Sequence, residues 1–379
     1  MYKSYETSFR GHKLNFGDKF CGISFSYVLL ICILASIGII MLYSAANGSW
    51  RPWALAQMIR LGLGFGVMFF MAFIDIKVFL RLSYWIYFVV LALLFIVEVA
   101  GYVGMGAQRW IDLGFMKLQP SELMKIALVM ALARYFNSVT LQSIESIKGI
   151  IIPIVMVLIP VGLVLIQPDL GTALMLLFTA GAMFFVVGIQ LWKFGLVAIG
   201  IVISLPIAWQ FLHTYQKNRV LTFLDPERDP LGTGYHIIQS KIAFGSGGVF
   251  GKGFLNGTQS HLNFLPEKHT DFIFTMLSEE FGIMGAVFVI LINFLIIAYS
   301  FVFALRTASY YGKLLAIGLT TSYFLYVIIN ISMVLGLLPV VGVPLPLISY
   351  GGTVLLSVMC SFGMIIAVNT NRNINIGKD

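Results

Sequence analysis

Ten stretches of the chain are apolar over about the 20 residues that an α-helix needs to cross lipid. They run approximately over 22–44, 55–75, 82–101, 120–136, 149–167, 170–189, 192–212, 273–304, 312–336 and 346–369. The fourth is short and polar, and Glu122 and Lys125 sit one turn apart on it, where they can pair. The pattern predicts an all-α polytopic membrane bundle of about ten transmembrane helices, one membrane domain over 1–379. A single large extracytoplasmic loop, 213–273, interrupts it. Two places break the helical pattern at membrane depth. One is the turn Gln167-Pro168-Asp169-Leu170-Gly171-Thr172, which carries a carboxylate. The other is 336–352, GLLPVVGVPLPLISYGG, with three prolines and four glycines. Irregular backbone near lipid is tolerated where protein or a water-filled cavity covers it. An ordinary hairpin between the last two spans is the alternative for 336–352.

Composition supports a lipid solvent. Of 379 residues, 59% are hydrophobic and 11% charged, less than half the usual charged share of soluble domains. The net charge is +8, yet no basic run interleaves with aromatics, so nucleic acid is not an expected partner. The basic residues fall mostly between apolar stretches. With the N-terminus inside, thirteen Lys and Arg residues lie in inner segments. The short outer loops hold only Arg51, Arg109 and Lys117. That asymmetry places both termini in the cytoplasm and the long loop outside. Lys3, Arg10, Lys13 and Lys19 precede the first apolar stretch, which at about 22 residues is too long for a signal peptide and reads as a first span. Cys21, Cys32 and Cys360 have neither metal nor redox spacing.

Polar chemistry concentrates in one window. Residues 213–281 hold seven of the sixteen acids and four of the five histidines, among them His213, Asp229 and His261. A loop of that length is functional or disordered. Its many aromatic and branched residues, such as Phe223, Tyr235, Phe250 and Phe264, argue against disorder and for short interfacial helices. Within it, GSGGVFGKGF (245–254) is not a phosphate loop, because Ser246 and Gly253 stand where the pattern needs Gly and Ser/Thr. It is either a flexible turn series or a backbone cradle that brings Lys252 to a phosphate. Next, LPEKHTDFIF (265–274) crowds Glu267, Lys268, His269, Thr270 and Asp271 before an apolar helix. Thr270 or Asp271 could simply cap that helix. Alternatively, Asp271 is a base at the membrane surface beside cations that hold a lipid-linked phosphate. In the outer segment 106–122, Arg109, Lys117 and Gln119 flank Trp110. Two cations there oppose the orientation signal and suggest anion binding. Arg60 and Glu98 fall within spans, where a charge is a functional candidate unless it snorkels to the interface.

With these residues in view, the chain resembles the SEDS family (shape, elongation, division and sporulation) of cell-wall proteins over nearly its whole length. The segments that carry the resemblance are GAQRWIDLG (106–114), QPSELMKIA (119–127), QPDLGTAL (167–174), DPLGTGYHIIQSKIAFGSGG (229–248), GKGFLNGTQ (251–259), FLPEKHTDFIF (264–274) and PLPLISYGGT (344–353). The short N-terminal tail suits the elongation members. The resemblance implies a peptidoglycan glycosyltransferase of the bacterial cytoplasmic (inner) membrane, serving elongation and rod shape. Such an enzyme polymerises lipid II on the outer face, with the growing glycan on undecaprenyl diphosphate as donor. The acceptor is the 4-hydroxyl of the incoming sugar. The family's catalytic aspartate falls on Asp271, and Arg109, Lys117 and Gln119 match the motif expected near the diphosphate. Glu267, Lys268 and His269 are further substrate-binding candidates. The resemblance also implies a class B penicillin-binding protein as transpeptidase partner. The leaving diphosphate needs cations, so Mg²⁺ or Mn²⁺ is an expected helper, although no carboxylate set reads as a dedicated site and no organic cofactor is implied. Two other functions compete: a lipid II flippase, which would use the same cations without a base, and a noncatalytic scaffold for the transpeptidase, for which complex formation alone would sustain cell shape.

Overall fold

The computed structural model describes residues 16–374, apart from 105–106, 113, 115–116, 141–145, 212–213, 229–232 and 262–266. His213, Asp229 and the first part of the 264–274 motif lie outside the described residues. Among the described residues, eight helices are long and apolar enough to cross a membrane. After a short α1 (Phe16–Cys21) come α2 (Phe25–Ala45), α3 (Trp53–Phe73), α4 (Ile76–Ala100), α6 (Ile147–Ile166) and α7 (Leu170–Val187), then α12 (Ile273–Arg306), α13 (Tyr310–Val334) and α14 (Thr353–Thr370). The other two expected spans are also helical, as α5 (Pro120–Ser138) and α8 (Leu191–Phe211). The loop between α4 and α5 adds a small antiparallel sheet absent from the all-α expectation. It comprises β1 (Tyr102–Gly104), β2 (Ala107–Asp112) and β3 (Lys117–Leu118), in that order. Asp112 pairs with Lys117 across β2 and β3.

Why the fourth span is so polar is clear from its place. α5 is buried on almost every side, packed among α4, α7 and α13. Its charges face protein rather than lipid. Lys125 Nζ lies 2.7 Å from Glu122 Oε1, as the spacing predicts. Both bond the Tyr326 hydroxyl on α13, and Ser357 Oγ of α14 donates to Glu122 Oε2 at 3.4 Å. One buried ion pair thus ties three helices together.

Segment 336–352 is not a hairpin. α13 ends at Val334 and α14 starts only at Thr353, later than the apolar run suggests. Between them the backbone is irregular, with Val343, Leu345, Leu347 and Ile348 buried. It passes so close to α2 that a Cβ on Gly38 would sit 2.4 Å from the Leu347 carbonyl oxygen. Protein covers this backbone over 345–349, which is what irregular structure at such depth requires, whereas Leu337, Leu338 and Gly342 are exposed.

The glycine-rich stretch is a backbone splice. α12 breaks at Gly282 (φ +69°), which strands the peptide groups on either side. The N–H groups of Lys252 and Gly253 donate to the carbonyls of Glu279 and Glu280 at 3.0 Å each. Beyond the break, Ile283 and Met284 donate to the carbonyls of Gly248 and Val249 at 3.0 and 3.2 Å. A Cβ on Gly247 or Gly251 would come within 2.2 or 2.1 Å of a helix carbonyl, so the contact demands glycine. Lys252 Nζ is taken by Glu279 at 2.8 Å and Thr258 at 2.7 Å. The cradle that would bring Lys252 to a phosphate is therefore replaced by one for the broken helix.

Candidate active site

Three elements converge on Asp271: the start of α12, the C-terminal half of α13 and the irregular segment 336–352. The backbone before α12 is held carbonyl by carbonyl. Tyr350 N donates to His269 O at 2.8 Å, Ser349 Oγ to Thr270 O at 2.6 Å, and Asn330 Nδ2 to Asp271 O at 3.0 Å. Asn330 Nδ2 also donates to Val343 O at 2.7 Å, and Gln57 Nε2 of α3 to Ser349 O at 3.1 Å. Asp271 is consequently fixed relative to α3, α13 and the irregular segment, although it belongs to none of them.

The carboxylate does not cap the helix. The capping position falls on Phe272, with no side-chain cap bond, and Thr270 Oγ1 instead donates to Glu267 Oε2 at 2.9 Å. Among the described residues the Asp271 carboxylate accepts no hydrogen bond, and one oxygen faces Gly342, where a Cβ would lie 3.6 Å away. Burial pushes this carboxyl up to about 6, nearby Glu267 adds to the rise, and Arg219 opposes it. A partly exposed carboxyl without a structural task and with a raised pKa is poised to take a proton near neutrality.

The other candidates divide. Glu267 is exposed and anchored to Thr270. Lys268 is buried, which lowers its ammonium pKa. His269 is also lowered by burial, and its ring stacks on Trp53 at 4.4 Å between centroids. Arg109 reaches the turn before α7: its Nε donates to Gln167 O at 3.0 Å, its Nη2 to Pro168 O, and its Nη1 lies 3.8 Å from Asp169 Oδ2. Asp169 itself caps α7, accepting from Thr172 N at 3.2 Å. Gln119 is buried and donates to Asp169 Oδ2 at 3.3 Å, so it braces that turn. The Lys117 side chain is exposed, while its carbonyl accepts from Thr353 Oγ1 at 2.9 Å.

Beside Arg109 opens a cavity lined by Arg109, Pro168, Asp169, Leu170, Arg219, Val220, Pro339 and Val341. Arg219 was not singled out by the sequence. It sits on α9 (Thr214–Leu224), a polar helix of the long loop, and no motif distinguishes it from its basic neighbours. Asn330 and Gln57 were equally silent, because uncharged polar residues in apolar spans read as helix packing, and Ser349 was read only as part of PLPLISYGGT. Among the described residues no group of three or more His, Cys, Asp or Glu side chains could hold a metal.

Arg109 and Arg219 line one cavity, and the charge of Arg219 also acts on the carboxyl of Asp271, just before α12 of an apolar helical bundle. The sequence pattern of the FtsW/RodA/SpoVE family, described as cell cycle proteins, matches residues 24–374. The chain belongs to this family. It is 40% identical over 367 residues to the peptidoglycan glycosyltransferase MrdB of Escherichia coli K12, covering 95% of this chain and 97% of the relative. To stage V sporulation protein E of Bacillus subtilis it is 34% identical, covering 90% and 95%. Its fold matches a chain of a solved peptidoglycan synthase complex, described as coordinating polymerization and crosslinking, with a TM-score of 0.80 at 33% identity, covering 93% and 98%. It also matches the rod shape determining protein RodA of Thermus thermophilus, with a TM-score of 0.70 at 27% identity, covering 93% and 98%.

Proposed function

We propose that this protein is a peptidoglycan glycosyltransferase that polymerises lipid II at the outer face of the bacterial cytoplasmic membrane during elongation. The observation that carries the reading is Asp271: a carboxylate held by its backbone, free of capping duty, with a pKa raised to about 6. Asp271 accepts the proton of the acceptor's 4-hydroxyl as its oxygen attacks the anomeric carbon of the donor. The bond to diphosphate breaks with inversion, and the diphosphate leaves with the bonding pair. Arg109, Arg219 and Lys117 meet the charge that develops on it. Glu267, Lys268 and His269 place the acceptor and keep Asp271 partly desolvated. Gln119 contributes by bracing Arg109's turn. Mg²⁺ or Mn²⁺, where used, would be held chiefly by the substrate's own phosphate oxygens, since the described residues supply no carboxylate cage. The outward orientation rests on the loop charges, and a class B penicillin-binding protein is the transpeptidase proposed to work beside it. A flippase would share the cations but give no use to a proton acceptor.

The test is the pH dependence of glycan synthesis at saturating substrate. A base is active when ionised, so the rate should rise about tenfold per pH unit below pH 6 and level off above it. A rate flat between pH 5 and 8 would remove Asp271 from the chemistry.

A further inference from the structure

Arg60 has no role in the site as described. It lies in α3, seven residues after Trp53, so its backbone is about 10 Å from the end of the helix that packs His269. A charge inside a span is costly and is kept where it has a partner or a route to the interface. Among the described residues Arg60 makes no ion pair and no hydrogen bond. The guanidinium carbon lies over the ring of Tyr350, 4.4 Å from its centroid. The side chain is half-buried. On one flank is the packed stripe of Gln57, Leu61 and Gly64, and on the other the exposed Ile59 and Leu63 that meet lipid. Gly352 stands next to it, where a Cβ would come 3.7 Å from Nε.

These surroundings suit one kind of ligand. A guanidinium is planar, weakly hydrated and matched to two phosphate oxygens at once, and an aromatic face holds its plane without using its N–H donors. The exposed flank of α3, with Ile59 and Leu63, leaves the guanidinium open to a ligand from that side. The irregular segment gives the arrangement its meaning. Pro339 and Val341, near its start, line the cavity with Arg109 and Arg219. Tyr350 and Gly352, at its end, carry Arg60. Asn330 ties Val343, in between, to Asp271.

We infer that Arg60 and Tyr350 form a second phosphate site, separate from the Arg109 cavity, for a phosphate carried on a lipid. Two lipids bear that chemistry: a membrane phospholipid, and a polyprenyl diphosphate. In the second case the site would hold the lipid-linked substrate whose diphosphate does not leave, a role that rests on the polymerase reading above. Binding itself does not depend on it.

The experiment is binding without turnover. Purified full-length protein in detergent is titrated with farnesyl diphosphate and, separately, with a short-chain phosphatidylglycerol, and the bound lipids are counted by native mass spectrometry. Arg60→Gln should lose one bound ligand or weaken it at least about tenfold, while the occupancy of the Arg109 cavity persists. Arg60→Lys, which keeps the charge but not the fork, should retain part of the binding and covers the case in which the Gln variant does not fold. Loss of farnesyl diphosphate would support the site with the polyprenyl source, and loss of phosphatidylglycerol alone would support it with the membrane source. Wild-type number and affinity for both lipids in either folded variant would overturn the site.

Discussion

Asp271→Asn should lower glycan synthesis by about 10²-fold or more at saturating substrate, with membrane insertion and folding intact. Asn keeps the shape of the side chain and removes its capacity to take a proton. Because the carboxylate caps nothing, the substitution forfeits no helix cap. Its effect on stability has a definite sign. A carboxyl raised from 3.8 to about 6 holds its proton more tightly in the folded state than in the unfolded one. Folding is therefore weakened as pH rises from about 4 through about 6, and the full cost is present above that. Asn removes the charge, so the variant should melt no lower than wild type at pH 7.5. Measuring polymerisation and melting on the same preparation separates the roles. Lost activity with unchanged or raised stability is the signature of the base, whereas full activity would mean that the proton goes elsewhere.

Lys125→Met should be the most damaging change to stability, costing about 3–5 kcal/mol. Lys125 is 3% exposed and, among the described residues, is the one cation bonded to Glu122, itself 4% exposed. Removing it leaves a carboxylate stranded inside the bundle, bonded only to hydroxyls of Tyr326 and Ser357. The double change Glu122→Gln with Lys125→Met removes both charges and should recover most of the loss. Thermal unfolding in detergent of the two single variants and the double variant measures the coupling. Additive losses would show that the pair is not the tie between α5, α13 and α14 described above.

How much of this was legible in the sequence depends on the kind of signal. The helices were, because an apolar run of span length has few other uses; the expected ends mostly fall within a few residues of those observed. Two starts differ more: α4 begins at Ile76 rather than 82, and α14 at Thr353 rather than 346, the latter because the buried residues Val343 to Ile348 are as apolar as a helix while the prolines among them prevent one. Asp271 was legible as a candidate, since few carboxylates adjoin an apolar span. Its freedom from capping was not, because the cap is decided by where the backbone turns helical, at Phe272. GSGGVFGKGF showed that close backbone contact was needed but not with what. The partner is a helix break at Gly282, some thirty residues on, and nothing in either segment names the other. Arg219 and Asn330 reach the site through tertiary packing alone.

Forming glycosidic bonds and moving lipid II between leaflets part company where there is only one leaflet. Purified protein in detergent micelles, where no second leaflet exists, is supplied with labelled lipid II, with and without a transpeptidase partner whose own active site is blocked. The wild-type protein should make glycan strands of many disaccharide units, and Asp271→Asn none. Unreacted lipid II in every wild-type sample, from protein that is folded and binds the substrate, would contradict the polymerase reading.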